Sequence, residues 1–445
     1  MSEIGAAGLL RPWHVIVALM LLTSVAAGFV DLEPTVEGFM AERQILYYGS
    51  DGSYVVELFS GIQVGIGGDA ARIPGYNAAA ACSGNGFAAA LVIMAEPYLV
   101  VYTGGDTVKT VYIGGSFSGL SCSDDRVLAA SIRGDGTGVV AVYENSTETF
   151  KMFLIRGLEE ELSRYYNPSK LYTRNNPSWG DAVPIAPGFI AVARGDGVEV
   201  MRVTAGDSKI SLVGVYSDGD SIIAYGSLDS RGFIADLERG YGMVLGFSHT
   251  VRVIAATSFE DGKASFILEH VGSGVDVGVL GEEGDGGFYL MSLRRVSITE
   301  PYSLRGAWAS GGMVWITAGL VGELGGYKSI AIGLEGFGVG VISDGERHIA
   351  RLLPTPSEHE ASARSINIMV EKLPISRGDT VTPTVLESSA IEPIDLKSTS
   401  FTSKGGFSIE NVMTALAALA PWAAVVVATL DSPLPQCPRM MRKDL

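Results

Sequence analysis

Short runs of apolar residues alternate with turns rich in glycine and aspartate from residue 42 to residue 353. In the segments 127–143 and 189–203, for example, an Arg-Gly-Asp-Gly sequence separates two apolar runs. Glycine and aspartate accept the positive φ angles that tight hairpin turns require, so both segments are typical of β-hairpins. The pattern therefore predicts an all-β fold for this part of the chain.

The hairpins recur at a fairly regular spacing. Eight apolar runs begin 26 to 40 residues apart, except for one gap of 62 residues, and their first residues are Tyr54, Phe87, Val127, Phe189, Ile222, Val253, Phe288 and Val314. The long gap contains a less apolar stretch, residues 157–179, with three successive glutamates at 159–161. This stretch predicts an insertion or a loop that carries a helix.

The repeated hairpins, with small residues in runs such as 88–90 and 129–130, resemble the β-propeller superfamily of the WD40 and YVTN type. The resemblance covers roughly residues 42–353, and no family-specific motif such as a Trp-Asp dipeptide accompanies it. It implies blades of four strands, at about 40 to 45 residues each, and therefore about seven blades with a range of six to eight. Small residues suit the crowded axis of such a ring. Two or three tandem β-sandwiches are the alternative.

The composition changes after residue 353. Residues 354–408 are rich in serine, threonine, proline and glutamate. One piece, residues 365–373, alternates like a strand, and we expect it to close the ring by pairing with an N-terminal strand. Residues 374–406 have too few apolar side chains to build a core of their own, which predicts an extended stalk.

The N-terminus has the pattern of a targeting segment. Arg11 precedes the apolar run 15–22, and small residues follow up to Ala27. This order predicts a secretory signal peptide at 1–27, or an uncleaved signal anchor if the apolar run extends further. Both alternatives place the long middle part of the chain on the same side of a membrane.

The C-terminus contains an uncharged run of 19 residues, 412–430, which is the length of a membrane-spanning helix. We assign the transmembrane helix to 409–430. The tail, 431–445, is short and basic, with Arg439, Arg442 and Lys443, and basic residues beside a span tend to remain cytoplasmic. We therefore predict a single-pass cell-membrane protein with an extracellular domain, residues 28–353.

The composition of the 445 residues limits the possible functions. Hydrophobic residues make up 47% and charged residues 18%, so the middle of the chain can bury a large core. Lysine and arginine total 32 against 49 acidic residues, and the net charge of -17 argues against nucleic-acid binding, which needs a basic surface. The acidity indicates solubility or attraction of cations.

The three cysteines fall into two groups. Cys82 and Cys122 belong to the predicted extracellular part and would either form a disulfide there or remain thiols. Cys437 lies in the predicted tail, as a thiol or an acylation site. Because the chain has no Cys-x-x-Cys and no cysteine–histidine cluster, we expect no zinc site, and we assign no metal and no cofactor.

Several short motifs have a simple structural explanation. Asn145 begins an Asn-Ser-Thr sequon and is a possible glycosylation site. Arg-Gly-Asp occurs at 133–135, 194–196 and 377–379 and resembles the tripeptide that integrins bind, although glycine and aspartate are also the expected turn residues. The acidic turns 124–125, 218–220 and 282–285 raise the question of calcium, but none has the spacing of an EF-hand loop.

The sequence contains no Gly-x-Ser-x-Gly, His-Glu-x-x-His, Walker or Gly-x-Gly-x-x-Gly motif, so we assign no catalytic residue; this favours a protein that is not an enzyme and leaves enzymatic activity open. His249 or His348 would act as a base only if the fold brought a serine or carboxylate nearby. For a propeller-type enzyme, the candidate carboxylates near the axis are Asp220, Asp236 and Glu260.

The leading hypothesis is a membrane-anchored scaffold at the cell surface that binds a protein, a glycan or a surface-layer partner. The first alternative is an extracellular hydrolase or lyase of the propeller type. The second is an accessory subunit of a membrane complex, in which Pro421 and Trp422 pack against a partner helix.

Overall fold

The computed structural model describes residues 35–41, 43–49, 51–58, 61–73, 78–93, 97–167, 176–219, 221–283, 287–299, 301–310, 312–321, 327–335, 341–343, 348–354, 362–374, 376–387, 389–391, 393–394, 396–398 and 400–401. The predicted signal, transmembrane helix and tail lie outside these residues. Within them, no helix is long and apolar enough to cross a membrane.

The fold is all-β, and consecutive strands pair in antiparallel order to form the blades of a propeller. Five sheets each contain one such blade. Three are complete within a single stretch of chain. The first contains β2 (Gln44–Tyr48), β3 (Tyr54–Leu58), β4 (Gly61–Ile66) and β5 (Asp69–Ile73), and the second contains β6 (Ala78–Gly84), β7 (Phe87–Ile93), β8 (Pro97–Tyr102) and β9 (Thr107–Tyr112). The third contains β22 (Val251–Ala256), β23 (Lys263–His270), β24 (Gly274–Glu282) and β25 (Phe288–Ile298).

The fourth blade contains β15 (Ala182–Ala186), β16 (Phe189–Arg194) and β17 (Gly197–Thr204), and the fifth contains β26 (Tyr302–Ser310), β27 (Met313–Val321), β28 (Tyr327–Glu335) and the N-terminal β1 (Thr35–Ala41). A sixth sheet of eleven strands has two four-stranded halves: β10 (Ser116–Cys122), β11 (Arg126–Ile132), β12 (Gly138–Glu144) and β13 (Thr149–Ile155) on one side, and β18 (Ile210–Asp218), β19 (Ser221–Leu228), β20 (Arg231–Asp236) and β21 (Tyr241–Gly246) on the other. The two-residue strand β14 (Ser178–Trp179) joins these halves.

Burial explains why the apolar runs form strands. The second and third strands are covered by sheets on both faces, so β11 and β16 are buried along nearly their whole length. The fourth strands meet solvent on one face, and β13 and β17 accordingly mix buried and partly exposed positions. The predicted insertion contains one short helix, α1 (Glu159–Ser163), whose Leu162 is fully buried.

The ring is closed by its N-terminal strand. β1 pairs with β28 along its whole length, from Thr35 opposite Glu335 to Ala41 opposite Ser329. The prediction that residues 365–373 close the ring is therefore wrong. Packing reinforces the junction, because the ring of Tyr47 in β2 lies 5.0 Å from the ring of Trp308 in β26.

The segment that follows the ring is a belt, residues 362–401, and not a stalk. Its strands are β31 (Ser362–Asn367), β32 (Met369–Lys372), β33 (Ser376–Arg377), β34 (Asp379–Val381), β35 (Thr384–Glu387), β36 (Ser389–Ala390), β37 (Lys397–Ser398) and β38 (Ser400–Phe401). They pair in turn with β21, β17, β17, β13, β9, β5, β1 and β29 (Val341–Ser343), so the belt adds an outer strand to every sheet and runs opposite to the chain order. The strand β30 (His348–Pro354) connects β29 to β25.

This pairing corrects the prediction of an extended stalk at 374–406 as far as residue 401. The belt strands need no core of their own, because the outer edge of each blade offers unpaired backbone N–H and C=O groups. Pro374 falls in a connection between strands, where it removes no ladder hydrogen bond.

Ion pairs connect neighbouring blades along the turns between third and fourth strands. Each joins a basic side chain of one blade, or of one half of the large sheet, to an acidic side chain of the next: Lys109–Glu148, Lys151–Asp196, Arg194–Glu238 and Arg239–Glu282. Because these charges lie at the surface, where water and salt screen them, the pairs add little to the stability of the fold.

Candidate functional site

The axis of the ring is occupied by the chain itself. β14 pairs in parallel with both β10 and β18, which are the innermost strands of the two halves of the large sheet. The Asn176 side-chain oxygen accepts a hydrogen bond from the Ala307 N–H in β26 at 3.1 Å. A segment that contacts three innermost strands from separate parts of the ring must lie on its axis. We call residues 176–181 the axial plug.

Hydrogen bonds fix the axial plug in place. The Val215 N–H donates to Ser178 Oγ at 3.0 Å, and the Gly180 N–H donates to the Cys122 carbonyl at 2.7 Å. Ser121 Oγ donates in turn to the Gly180 carbonyl at 2.8 Å. Ser178 is buried, as its position on the axis requires. The plug therefore closes the channel at the level of these residues.

The predicted axial carboxylates do not form an acid–base pair at this level. Asp220 lies outside the described residues. Asp236 is buried at the end of β20 and accepts hydrogen bonds from the backbone N–H groups of Glu238 and Arg239, so it stabilises a turn. Burial raises the pKa of Asp236, and the contact with Arg239 lowers it in part. Glu260 is exposed in the turn between β22 and β23.

A different cluster stands out on the blade formed by β22–β25. His249 Nε2 lies 2.7 Å from His270 Nδ1, and His270 Nε2 lies 2.8 Å from Asp276 Oδ2. His249 is exposed in the connection before β22, whereas His270 at the end of β23 and Asp276 in β24 are almost completely buried. We call His249, His270 and Asp276 the histidine relay.

The fold positions each member of the relay through a turn. His270 and Gly274 are the last and first residues paired across the hairpin between β23 and β24, which places Asp276 two residues into the next strand. The N–H of Val271 donates to the Thr250 carbonyl at 3.2 Å and so holds the connection that carries His249 against this hairpin.

The surroundings of the relay supply one cation and two aromatic rings. Arg295 in β25 forms an ion pair with Asp276 Oδ1, and its Nη1 donates to the Ser273 carbonyl at 3.2 Å. The Phe247 ring lies 5.0 Å from the His270 ring, in an edge-on arrangement. Burial raises the pKa of Tyr302 nearby, and the Arg295 guanidinium lowers it in part.

The relay connects a buried carboxylate to an exposed imidazole through two hydrogen bonds. Asp276 is acceptor-only when ionised, so a neutral His270 donates from Nε2 and accepts at Nδ1. His249 therefore donates from Nε2 and keeps a free lone pair on Nδ1. This order places a basic nitrogen at an exposed position, which is the arrangement that proton transfer requires.

Sequence reasoning identified His249 but missed His270 and Asp276 as its partners. The available signal was Asp276 itself, an acidic residue in the middle of the apolar run 275–280. His348, the other predicted base, begins β30, and its side chain lies outside the described part of the structure.

The described residues contain no group of three or more histidine, cysteine, aspartate or glutamate side chains that could hold a metal ion. In the acidic turn 124–125, the Asp124 carbonyl accepts from the Asn85 N–H, and Asp125 Oδ1 accepts from the Ser146 N–H at 2.8 Å. These oxygens stabilise a contact between turns.

The side-chain amide of Asn145 is engaged on both sides. Its Nδ2 donates to the Asn85 carbonyl at 3.1 Å, and its Oδ1 accepts from the Tyr143 hydroxyl at 3.3 Å. A glycan would be attached through Nδ2, so the contact with Asn85 would have to rearrange. Glycosylation at Asn145 stays a prediction.

Cys82 in β6 and Cys122 in β10 are joined through their sulfur atoms, with Cα atoms 5.9 Å apart. Both are buried, and they connect the innermost strands of two neighbouring strand groups. Cys437 lies outside the described residues.

The three Arg-Gly-Asp copies occupy different settings. Those at 133–135 and 194–196 lie in hairpin turns, as expected. The copy at 377–379 passes from β33 on one sheet to β34 on the next, in extended backbone rather than at a loop tip.

No protein-family model matches the chain, and no curated protein matches it. Among solved structures, the chain is similar to the β-propeller domain of the Trilobed protease from Pyrococcus furiosus, with 13% identity and a TM-score of 0.34 over 63% of this chain and 91% of that one. It is also similar to TolB from Acinetobacter baumannii, with 12% identity and a TM-score of 0.27 over 72% and 67% of the two chains. Likenesses at these TM-scores carry no functional argument, and the propeller assignment rests on the strand pairing.

Proposed function

We propose that the protein is a seven-bladed β-propeller that acts as a binding or structural scaffold on the outer side of a cell membrane. The blade count follows from separating the eleven-stranded sheet into its two halves, each of which has the four consecutive antiparallel strands of a blade. With the five single-blade sheets, these halves make seven. β14 then corresponds to the innermost strand of the blade β15–β17, displaced toward the axis.

The axial plug is the observation that supports a scaffold best. Enzymes built on a ring of blades gather their groups at the axis, and here Asn176, Ser178 and Gly180 fill that position with hydrogen bonds to the ring. A closed axis leaves the broad faces as the surfaces that a partner can reach. An extracellular protein, a glycan or a surface layer fits such a rigid, extended surface.

The sequences of the two chain termini support this location at the membrane. We propose that residues 1–27 direct export, that 409–430 anchor the chain and that the basic tail 431–445 stays in the cytoplasm. Because the belt extends to Phe401, the linker before the uncharged run is at most the ten residues 402–411. The anchor therefore needs no long stalk.

Cysteine labelling on intact cells tests this topology. Cys437 should resist a membrane-impermeant maleimide until the cells are permeabilised, because the tail is proposed to lie inside. The matched control is Asp207→Cys in a chain with Cys437→Ser, since Asp207 lies in an exposed turn. The control should be labelled on intact cells. Labelling of Cys437 on intact cells, or protection of the control, would overturn the proposed orientation.

Purification in mild detergent separates the scaffold from the accessory-subunit alternative. A simple anchor comes out without a second membrane protein, whereas a subunit whose Pro421 and Trp422 contact another helix brings that protein with it. If the second protein is lost from a Trp422→Ala variant but kept by an Ala424→Leu variant of the same uncharged segment, the subunit alternative is favoured and a solitary anchor is refuted.

A further inference from the structure

The histidine relay connects a buried carboxylate to an exposed imidazole through two hydrogen bonds. Arg295 pairs with Asp276 and donates to the Ser273 carbonyl, which holds the hairpin that carries the carboxylate. Burying a charged aspartate is costly even when it is paired. The two imidazoles form a hydrogen-bonded path from this carboxylate to the solvent, at His249.

We propose that His249 is the general base of a catalytic site that hydrolyses small uncharged esters, with His270 and Asp276 as positioning residues. This activity goes beyond the proposed scaffold and does not depend on it. Asp276 fixes the tautomer of His270, and His270 fixes that of His249, which leaves Nδ1 of His249 as the proton acceptor. Hydrogen bonds of 2.7 and 2.8 Å connect the three side chains.

The side chains around His249 indicate the substrate class. The Phe247 ring lies 5.9 Å from the His249 ring, and Val271 is 54% exposed on the hairpin that contacts the same connection. An apolar ring beside the base suits an uncharged acyl or aryl group. The net charge of -17 disfavours approach of an anionic substrate.

The proposed reaction is the hydrolysis of an ester by water. The proton of an attacking water moves to Nδ1 of His249, and the water oxygen forms a bond to the acyl carbon. The bond from that carbon to the alcohol oxygen then breaks, and the proton passes from His249 to the leaving alcohol. The products are one carboxylic acid and one alcohol, and the imidazole returns to its starting state.

Charge placement favours the first of these proton transfers. The imidazolium that forms on His249 stays aligned with the Asp276 carboxylate through His270, as a buried aspartate stabilises the imidazolium in serine hydrolases. The other charged or titratable groups nearby are Arg295 and Tyr302 on adjoining strands, and the Arg252–Glu269 pair beside His270. If His270 also carried a proton on Nδ1, that N–H group would face the N–H group of His249 Nε2 across the 2.7 Å contact, and the hydrogen bond would be lost.

Hydrolysis of p-nitrophenyl acetate by the full chain in detergent tests the proposal. His249→Asn should lower the rate above background at least about tenfold, since a positioned general base contributes a factor of 100 or more. Because His249 is exposed, the variant should stay folded, which circular dichroism checks. The matched control is His359→Asn, which should retain the parent rate.

His270→Gln tests the positioning role, because a loss of stability alone would not alter the pH profile of the remaining folded enzyme. The parent rate should rise with pH to a plateau, as for any reaction that needs an unprotonated base, and His270→Gln should lower that plateau at least about fivefold while folded protein, measured by circular dichroism, is matched. A rate equal to that of free imidazole at the same concentration overturns the proposal. Equal losses in His249→Asn and His359→Asn overturn it as well, whereas neither result affects the labelling test of the scaffold.

Discussion

Replacing Gly180 by alanine tests whether the axial plug is a rigid part of the ring. Gly180 has a φ of +93°, a conformation that costs an alanine roughly 1–2 kcal/mol. The added Cβ would also lie 2.7 Å from the carbonyl carbon of Ser217 and 2.9 Å from its Cβ, and closer still to its carbonyl oxygen. The clash can be relieved only if the axial plug or β18 moves.

The expected size of the effect follows from the bonds at risk. Moving the plug weakens the hydrogen bond from Gly180 N–H to Cys122 and the one from Ser121 to the Gly180 carbonyl, which contribute about 0.5–1.5 kcal/mol each. With the φ strain, Gly180→Ala should cost about 2–5 kcal/mol. At about 2 °C per kcal/mol for a domain of this size, the thermal midpoint should fall by about 4–10 °C.

Gly86→Ala is the matched control for backbone strain. Gly86 has a φ of +75°, and a Cβ there would meet nothing within 4 Å. Differential scanning calorimetry should therefore show a loss of about 1–2 kcal/mol, or about 2–4 °C. If the two variants lose the same stability, Ser217 does not confine Gly180 and the axis is not closed as described.

Three further predictions concern the belt, the ionisation of tyrosine and the disulfide. A chain ending at residue 354 should form oligomers on size-exclusion chromatography, because it exposes the outer edges of the blades, whereas a chain ending at residue 401 should not; equal elution of the two would contradict the edge-covering role. Burial raises the pKa of Tyr143 to about 12, so its contribution to stability should be constant up to about pH 10 and fall above it, by less than about 1.4 kcal/mol per pH unit, as unfolded tyrosine ionises, a component that Tyr143→Phe should remove from urea unfolding curves recorded between pH 9 and 12. Replacing Cys82 and Cys122 by serine removes a link across 40 residues and should cost about 4 kcal/mol in urea unfolding under oxidising conditions, with no difference from the parent under reducing conditions.

Local patterns in the sequence were sufficient to predict the hairpins. The turns at 133–136 and 194–197 connect antiparallel strands where glycine and aspartate indicated them, and the helix α1 lies inside the predicted insertion. These features depend on residues within a few positions of one another, so their signal is present in any short window. The all-β architecture follows from their repetition.

Contacts between distant residues were out of reach for the same reason. The histidine relay joins a connection, a strand end and a strand interior that become neighbours only when β22, β23 and β24 pair. Ring closure pairs Thr35 with Glu335, across nearly the whole ring. A search for catalytic sequence motifs cannot find such a cluster, because its members have no fixed spacing along the chain.

The belt shows why composition alone misjudged residues 374–406. The stalk prediction considered only whether the segment could bury enough apolar surface to fold by itself, and such a polar segment cannot. Folding requires only that backbone groups find partners and that some side chains pack, and the outer strands β5, β9, β13, β17 and β21 already offer free edges. Strands of two to six residues are then sufficient, because each adds to an existing sheet. A polar segment that follows a ring of open-edged sheets should therefore be tested first as an added strand, and as a stalk only where those edges are already covered.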